Sequence, residues 1–288
     1  MNPLFAKACA KINIGLRILG ELPNGYHEIE TIFQSVDLCD EISVVPAEGD
    51  IRIETDHPDL PRDETNICHR AAKYLREIAG EKKGCTIRIE KKIPVGAGLG
   101  GGSSDAATTL HLLNRLWDLN LTDQDLSPIA KKLGADVPFF LNPGTAIAHG
   151  IGEDLQPLRK AWNFFGVVVY PNRPISTAWA YKNLKINLTN IKKYIKLSRY
   201  FVEKLFLQEF PLFFKNDFES LVFEACPELR EIKLLLLQAG SSFASLSGSG
   251  SAVFGLFKQE KMAQEAFMLF DSHPYQKFFV RPYGEHSK

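Results

Sequence analysis

The residues of this chain that are best suited to chemistry form a glycine-rich run that could bind phosphate. Five of the seven residues from 96 to 102 are glycine, and two serines and an aspartate follow them. Alternating apolar residues over 85–90 predict a strand before the run, and apolar residues at helical spacing over 106–117 predict a helix after it. A bare backbone leading into a helix N-terminus lets N–H groups converge on an anion. The predicted phosphate loop consists of Pro94, Val95, Gly96, Ala97, Gly98, Leu99, Gly100, Gly101, Gly102, Ser103 and Ser104.

Three better-known phosphate loops do not fit this run. A Walker loop needs a lysine directly after its last glycine, and none follows here. The G-x-G-x-x-G match at 96–101 carries little weight among so many glycines, and the acid that a dinucleotide fold places about 20 residues later would fall in a helix. The H-R-D and D-F-G motifs of protein kinases are absent. A flexible turn without a ligand is the remaining alternative, although linkers rarely lie between a clear strand and a clear helix.

Phosphoryl transfer also needs a group that orients an acceptor hydroxyl and a cation that holds the migrating charge. Asp136 follows a predicted helix end at Gly134 and precedes the rigid pair Val137 and Pro138. A carboxylate in this apolar stretch is either buried for a purpose or an N-cap or turn acid, and the sequence does not decide between them. Lys11 lies in the middle of the first predicted strand, where the pattern alone favours a side chain that faces solvent.

Composition limits the function classes. The chain has 288 residues, 45% of them hydrophobic, and a formal net charge of zero, which is typical of a globular protein long enough for two domains and gives no support for a nucleic-acid partner. The five cysteines are scattered without a C-x-x-C pair, which predicts reduced thiols rather than a disulfide or zinc framework. No apolar run has membrane-spanning length, and the N-terminus leads almost directly into a strand, leaving no room for a targeting peptide. We therefore expect a cytoplasmic protein, without a membrane partner, that is a monomer or a weak homodimer.

The hydrophobic pattern predicts strands and helices that alternate without a regular βαβ rhythm, which favours an α+β architecture in two domains. The predicted strands cover 7–19, 26–36, 41–46, 51–54, 85–90, 145–149, 164–170 and 252–257. The predicted helices begin at an Asn66 cap and end at Gly80, begin at a Thr122–Asp125 capping box and end at Gly134, and cover 106–117 and 228–239. The Lys-rich residues 182–204 are predicted to be helical from loosely spaced apolar residues.

Three separated motifs, in this order, resemble those of the GHMP small-molecule kinases over nearly the whole chain. They are A-K-I-N-I-G-L at 10–16, the glycine loop, and S-G-S-G-S-A-V-F at 247–254. The resemblance implies a ribosomal-protein-S5-like N-terminal domain over 1–160, a ferredoxin-like C-terminal domain over 161–288, and ATP with Mg²⁺ as the phosphate donor. Two narrower motifs, N-G-Y-H-E-I-E-T at 24–31 and L-G-A-D-V-P-F-F at 133–140, are similar to the branch that phosphorylates a cytidine-diphosphate sugar alcohol in non-mevalonate isoprenoid synthesis.

The resemblance also implies residue roles. Asp136 matches the catalytic aspartate, which takes the proton from the tertiary hydroxyl of the substrate. Lys11 matches the lysine that keeps this aspartate ionised and stabilises charge on the γ-phosphate, and Asn13 would help to hold the substrate. Tyr26 and His27 match the pair that recognises cytosine, although an aromatic residue after a hairpin turn is more often a packing residue.

Four further assignments rest on the same resemblance. Residues 174–181 resemble the segment that supplies a second aromatic for cytosine; Tyr181 takes this role, Trp179 competes if the register shifts, and Thr177 is a substrate-binding candidate in the same segment. Asn66 resembles an asparagine near the nucleotide, and helix capping explains it equally well. Residues 247–251 form either a second glycine loop near the phosphates or a tight turn. Asp105 stands where the family often has asparagine, and its charge is tolerable only if it points away from the phosphates or meets magnesium.

Three other functions remain to be weighed. A kinase of mevalonate or homoserine would not need the Tyr26–His27 pair that reads a base. A nucleotide-binding regulator without turnover would have no physical reason to keep both Lys11 and Asp136. A dinucleotide-dependent oxidoreductase is the most distant alternative, and failure to bind NAD would exclude it. Residues 182–214 resemble no motif of the family.

Overall fold

Two units of dense internal contacts make up the chain. The computed structural model describes residues 3–80, 82–158, 163–184, 197 and 214–284. The first unit comprises Met1–Ala10, Leu38–Ile93 and Gly100–Pro143, and the second comprises Lys11–Asp37, Pro94–Leu99 and Gly144–Lys288. No helix within these described ranges is long and apolar enough to cross a membrane.

Helices and strands alternate irregularly along the chain. The strands are β1 (Leu4–Glu21), β2 (His27–Glu48), β3 (Ile51–Thr55), β4 (Lys83–Glu90), β5 (Thr145–His149), β6 (Asp154–Pro157), β7 (Phe165–Tyr170), β8 (Phe243–Leu246), β9 (Val253–Phe257) and β10 (Gln276–Val280). The helices are α1 (Ile67–Ala79), α2 (Gly101–Leu116), α3 (Asp123–Leu133), α4 (Val137–Leu141), α5 (Thr177–Asn183), α6 (Glu219–Ala225), α7 (Pro227–Gln238) and α8 (Glu260–Met268).

In the first unit, helices α1 to α4 accompany a small mixed group of strands. Residues 41–48 of β2 pair antiparallel with β4, and β4 pairs parallel with β3. Helix α1 contacts α2 and α3, and α4 contacts α2 and α3. Leu75, Ile87, Leu110 and Val137 are fully buried, so the apolar faces of helices and strands form a common core.

Helix starts in the first unit follow from capping chemistry that the sequence predicts. Asn66 caps α1, because its Oδ1 accepts a hydrogen bond of 2.9 Å from the N–H of Cys68. Thr122 and Asp125 form the expected capping box of α3, and Gly134 ends that helix. Both predictions are confirmed.

In the second unit, an antiparallel sheet is covered by helices. Its strand order is β10-β7-β9-β8. Helix α7 contacts β8 and β9, while α8 contacts β7, β9 and β10. The core between them is closed to water and includes Val167, Leu229 and Phe257. In the same unit, residues 31–34 of β2 pair with β5, and β5 pairs with β6.

Two predictions about the first strands were wrong. β2 is one continuous strand from His27 to Glu48 rather than two, because the carboxylate of Asp40 is paired and can therefore be buried within the strand. β1 is buried on both faces from Ala8 to Leu16 rather than on one, so alternation of residue type there does not mark a solvent face. The predicted Lys-rich helix over 182–204 lies almost wholly outside the described residues.

The cysteine prediction also needs a correction. Cys9 and Cys39 are joined by a disulfide, so these two thiols are not reduced in the structure. They lie on β1 and β2, which pair with each other, and a separation of 30 residues does not reveal such a cross-strand position. Cys68, Cys85 and Cys226 are free and buried.

Candidate active site

The second unit holds the first half of the glycine loop, residues 94–99, by its carbonyl groups. The oxygen of Leu99 accepts a 2.9 Å hydrogen bond from the N–H of Lys11, and the oxygen of Ala97 accepts one of 3.0 Å from the N–H of Ala252. The oxygen of Val95 accepts one of 3.2 Å from the hydroxyl of a buried tyrosine, Tyr170. Because carbonyl oxygens repel phosphate, their use in holding the loop suits an anion site.

Gly98 is a position in this half of the loop that tolerates no side chain. Its φ is +77°, and a Cβ there would overlap the carbonyl oxygen of Ser247 and lie 3.0 Å from its carbon. The hydroxyl of Ser247 also donates a 2.9 Å hydrogen bond to the carbonyl oxygen of Gly98. Glycine is therefore required here by the close approach of a second loop.

That second loop is the serine- and glycine-rich stretch 247–251, in which Ser247, Ser249 and Ser251 are buried. Besides its contacts with Gly98, its Ser251 hydroxyl donates to the carbonyl oxygen of Arg173. The structure thus shows these residues packed on the glycine loop. Their nearness to bound phosphates stays a prediction.

Lys11 lies beside the glycine loop and is only 3% exposed, so the pattern-based prediction that it faces solvent was wrong. Its ammonium donates to the carbonyl oxygen of Gly98 at 3.2 Å and to Oδ1 of Asn13 at 2.5 Å, and it lies 5.1 Å from the ring centre of Phe33. Asn13 is itself fixed, because its Nδ2 donates to the hydroxyl of Thr31 at 3.1 Å. The buried ammonium of Lys11 is therefore hydrogen-bonded, as buried charged groups usually are.

The first unit contains the second half of the loop, where helix α2 begins. Gly100 is the N-cap in a left-handed conformation, and the N–H of Ser104 makes the first intrahelical bond, 2.9 Å to the carbonyl oxygen of Gly100. The N–H groups of Gly101, Gly102 and Ser103 precede it, and such groups have no acceptor within a helix. The helix dipole adds partial positive charge at this end. This helix start can therefore receive an anion.

The structure shows where the charge of Asp105 lies relative to the glycine loop. It is 3% exposed, and its Oδ2 accepts a 2.8 Å bond from the ammonium of Lys91 in the interior of the first unit. Lys91 also donates to Asp40, whose other oxygen accepts the N–H groups of Lys92 at 2.5 Å and Ile93 at 2.8 Å. Of the two alternatives, Asp105 points away into the core, held by what we call the Lys91 triad (Lys91, Asp40 and Asp105).

The Lys91 triad is electrostatically unbalanced, because one ammonium lies between two carboxyl groups. Burial, opposed by the attraction of Lys91 and reinforced by the repulsion of Asp40, raises the pKa of Asp105 to about 8. Oδ1 of Asp105 is among the buried atoms for which the described part of the chain supplies no hydrogen-bond partner. A proton on Asp105 would relieve the excess negative charge.

Asp136 is also in the first unit and is partly exposed. It occupies the N-cap position of α4, whose five side chains are all buried, with a proline in its first turn. It therefore occupies the N-cap position, but its side chain makes no capping hydrogen bond. Its catalytic role stays a prediction, as does the nucleotide role of Asn66, whose two polar side-chain atoms bond Cys68 and the carbonyl of Pro61.

Aromatic residues of the second unit form a stack near the turn after β1. The rings of His27 and Tyr181 are stacked with centroids 4.9 Å apart and planes at 29°. Tyr26, which directly precedes His27 in the sequence, is 59% exposed, and Trp179 is 38% exposed. Tyr181 is thus the aromatic of its segment that meets His27. Thr177, at the start of α5, bonds the hydroxyl of Ser249 at 3.0 Å.

Sequence reasoning missed Asn216, which bonds the backbone of the second loop, and Phe218, which contacts the aromatic stack of the second unit. Phe218 meets Tyr181 edge-on, with centroids 4.9 Å apart and planes at 85°. The available signal was a short polar interruption in a phenylalanine-rich stretch. Within the described ranges, no three His, Cys, Asp or Glu residues cluster as a metal site would require.

Comparisons with known proteins agree with this geometry. Residues 66–144 match the family model of the GHMP kinases N terminal domain, and residues 197–268 match that of the GHMP kinases C terminal. A 4-diphosphocytidyl-2-C-methyl-D-erythritol kinase of Prosthecochloris aestuarii is 46% identical over 92% of this chain and 93% of its own. A crystal structure of a 4-(cytidine 5'-diphospho)-2C-methyl-D-erythritol kinase, 32% identical, superposes with a TM-score of 0.82 over 98% of this chain and 100% of its own.

A more distant structure, a homoserine kinase from Cytophaga hutchinsonii, is 21% identical with a TM-score of 0.73, covers 99% of this chain and 95% of its own, and shows the fold alone. The α+β class with a GHMP fold is confirmed. The 46% identity with the Prosthecochloris aestuarii kinase over nearly the full length shows a closer relation than a shared fold. The chain belongs to the 4-diphosphocytidyl-2-C-methyl-D-erythritol kinase family within the GHMP kinases.

Proposed function

We propose that this protein transfers the γ-phosphoryl group of ATP to the 2-hydroxyl of 4-diphosphocytidyl-2-C-methyl-D-erythritol, a step of non-mevalonate isoprenoid precursor synthesis. The relatives' names supply the substrate. The observation of this chain that carries the proposal is the buried ammonium of Lys11, bonded to the Gly98 carbonyl of the glycine loop. A buried cation fixed to a phosphate loop suits stabilisation of a migrating phosphoryl group.

On the donor side, we propose that residues 94–104 bind the phosphates of ATP. The α2 helix start offers N–H groups and positive dipole charge, and the carbonyl oxygens of residues 95, 97, 98 and 99 are engaged elsewhere. Mg²⁺ would enter with ATP, bound to its phosphate oxygens, because magnesium in such sites is held largely by substrate phosphates and water. When bound, it neutralises charge on the phosphates.

On the acceptor side, Asp136 is proposed as the general base. It takes the proton of the 2-hydroxyl as that oxygen bonds the γ-phosphorus, while the bond from the γ-phosphorus to the bridging oxygen of ADP breaks. Its partial exposure at the start of a buried helix gives a carboxylate that substrate can reach on a rigid support. Lys11 is proposed to stabilise the charge on the transferred group.

For cytosine recognition we propose Tyr26, His27 and Tyr181. Tyr26 presents an exposed ring, and the stacking of His27 on Tyr181 fixes the plane of the imidazole. Asn13 and Thr177 are proposed to contact the remainder of the substrate. A domain boundary near residue 160, nucleotide contact by Asn66, a cytoplasmic location and a monomer or weak homodimer stay predictions.

ATP consumption with purified protein tests the reaction. The acceptors are 4-diphosphocytidyl-2-C-methyl-D-erythritol, mevalonate and homoserine, each with wild type, Asp136→Asn and the exposed first-unit control Asp59→Asn. We expect turnover with the cytidine substrate alone, lost by at least about a hundredfold in Asp136→Asn and retained in Asp59→Asn. Turnover with mevalonate or homoserine instead would overturn the cytosine assignment. Measurable ATP binding without turnover would favour a nucleotide-binding regulator.

A further inference from the structure

Segment 216–219 of the second unit is fixed to the strand that bears Lys11. The N–H of Leu16 donates to the carbonyl of Lys215 at 2.9 Å, and the N–H of Asp217 donates to the carbonyl of Leu16 at 2.8 Å. Oδ2 of Asp217 accepts a 2.8 Å bond from the N–H of Ile18. The segment therefore has a defined position on β1.

Asn216, at the start of this segment, holds the backbone of the serine- and glycine-rich loop. It is 3% exposed, and its Nδ2 donates to the carbonyl oxygens of Leu246 at 2.9 Å and Gly248 at 2.7 Å. Its Oδ1 accepts the N–H of Phe218 at 3.0 Å. One side-chain amide thus bonds the carbonyl groups of the two residues that flank Ser247.

The position of Ser247 in turn sets that of the Gly98 carbonyl. The Ser247 hydroxyl donates to this oxygen, and a Cβ on Gly248 would lie 3.2 Å from the same oxygen and 3.6 Å from Oδ1 of Asn13. The ammonium of Lys11 bonds the same two acceptors, the Gly98 oxygen and Oδ1 of Asn13. A shift of the loop at 247–248 therefore moves the acceptors that orient Lys11.

The opposite end of the segment acts on the aromatic stack. Phe218 is 1% exposed, and its ring contacts that of Tyr181 at nearly a right angle, while Tyr181 stacks on His27. Asn216 and Phe218 are two residues apart, yet their side chains reach two different groups of functional candidates.

We propose that segment 216–219 is a positioning element in which Asn216 sets the ammonium of Lys11 through the Gly98 carbonyl, and Phe218 sets the His27–Tyr181 stack. This inference rests on the proposed function, since Lys11 and the stack matter only if phosphoryl transfer to a cytidine substrate occurs. Neither residue touches substrate in this scheme; each acts through its neighbours.

Steady-state kinetics with ATP and 4-diphosphocytidyl-2-C-methyl-D-erythritol distinguish the proposed role of Asn216 from that of Phe218. Asn216→Asp replaces the donating NH2 by an oxygen of nearly the same size, and we expect kcat to fall at least about tenfold with the KM of the cytidine substrate within about twofold. Phe218→Leu is expected to raise that KM by about threefold to tenfold with kcat within about twofold. The exposed amide Asn120, which bonds the carbonyl of Asp118 at 3.1 Å, gives the matched control Asn120→Asp, expected to leave both constants unchanged.

A double-variant cycle separates positioning from general loss of folded enzyme. If Asn216 acts through Lys11, then Asn216→Asp changes the residual kcat of Lys11→Met by less than about twofold. Additive losses in the double variant would overturn the inference, as would equal effects of Asn216→Asp and Phe218→Leu on kcat and KM. Wild-type protein without turnover would overturn the proposed function and the inference with it, whereas wild-type turnover with an additive cycle would overturn the inference alone.

Discussion

The two halves of the glycine loop are held by different physics. Residues 94–99 are fixed mainly by neutral hydrogen bonds to their carbonyl groups, with the Lys11 ammonium as one charged donor, and by the steric fit of Gly98 against Ser247. The start of α2, residues 101–105, is fixed by a buried ion triad that includes Asp105 of its own first turns. Neutral bonds and steric fit are insensitive to pH, whereas buried charges depend on protonation and on the presence of every partner. The two halves should therefore fail under different perturbations.

The largest effect is expected in the ionic half, from Lys91→Met. Removing the ammonium leaves two buried carboxyl groups without their cation, a change that typically costs about 3–5 kcal/mol of unfolding free energy. Denaturant unfolding at pH 7 measures it. The neighbouring variant Lys92→Met removes an exposed lysine that pairs with Glu41, and no measurable loss is expected there. Equal stability of the two variants would show that the Lys91 triad does not hold the helix start.

A smaller but still large effect is expected in the neutral half, from Gly98→Ala. The left-handed backbone costs about 1–2 kcal/mol and the overlap with Ser247 about 1–3 kcal/mol more. Displacement of the Gly98 carbonyl should also reduce kcat by at least about tenfold. Gly49→Ala isolates the backbone term, because Gly49 has a φ of +75° and a Cβ added there would have no atom within 4 Å. If both alanine variants lose the same stability and activity, the contact with Ser247 is unimportant.

The sharpest contrast between the halves is expected from Asp105→Asn, because its effect on stability changes with pH. The pKa of Asp105 is raised from 3.8 to about 8, so folding takes up a proton and the stability due to this group is full below pH 3.8 and lost as the pH rises through 8. The variant cannot titrate, and its stability relative to wild type should rise by up to about 1.4 kcal/mol per pH unit between pH 4 and 8. Urea unfolding at a series of pH values measures this difference. A difference that is constant with pH would contradict it, and Gly98→Ala should show such constancy.

The sequence was sufficient wherever a local signal determines structure. The glycine loop with its flanking strand and helix, the Asn66 cap and the Thr122–Asp125 capping box each depend on a few neighbouring residues, and the structure contains all of them. The family motifs predicted the class of fold in the same way, because each is a short contiguous stretch of sequence. Structure that depends on neighbouring residues can be predicted from such stretches.

Long-range pairings could not be read in this way. The burial of Lys11 depends on Gly98, 87 residues later, and that of Asp40 depends on Lys91, 51 residues later. Alternation in β1 predicted a solvent face because the pattern does not reveal that both faces are covered. The polar interruption at Asn216 did not reveal its role for a similar reason, since its partners lie 30 and 32 residues further along the chain.

The acceptor that holds Lys11 has a consequence for how this protein can vary. The Gly98 carbonyl receives both the Lys11 ammonium and the Ser247 hydroxyl, which accounts for the two lone pairs of a carbonyl oxygen. It is a backbone atom, so no exchange of one amino acid for another deletes it. Heritable change can alter this hydrogen bond to Lys11 by moving the peptide group, through the residues packed around it. One of the hydrogen-bond acceptors of the proposed catalytic cation is therefore an atom that the genetic code cannot remove.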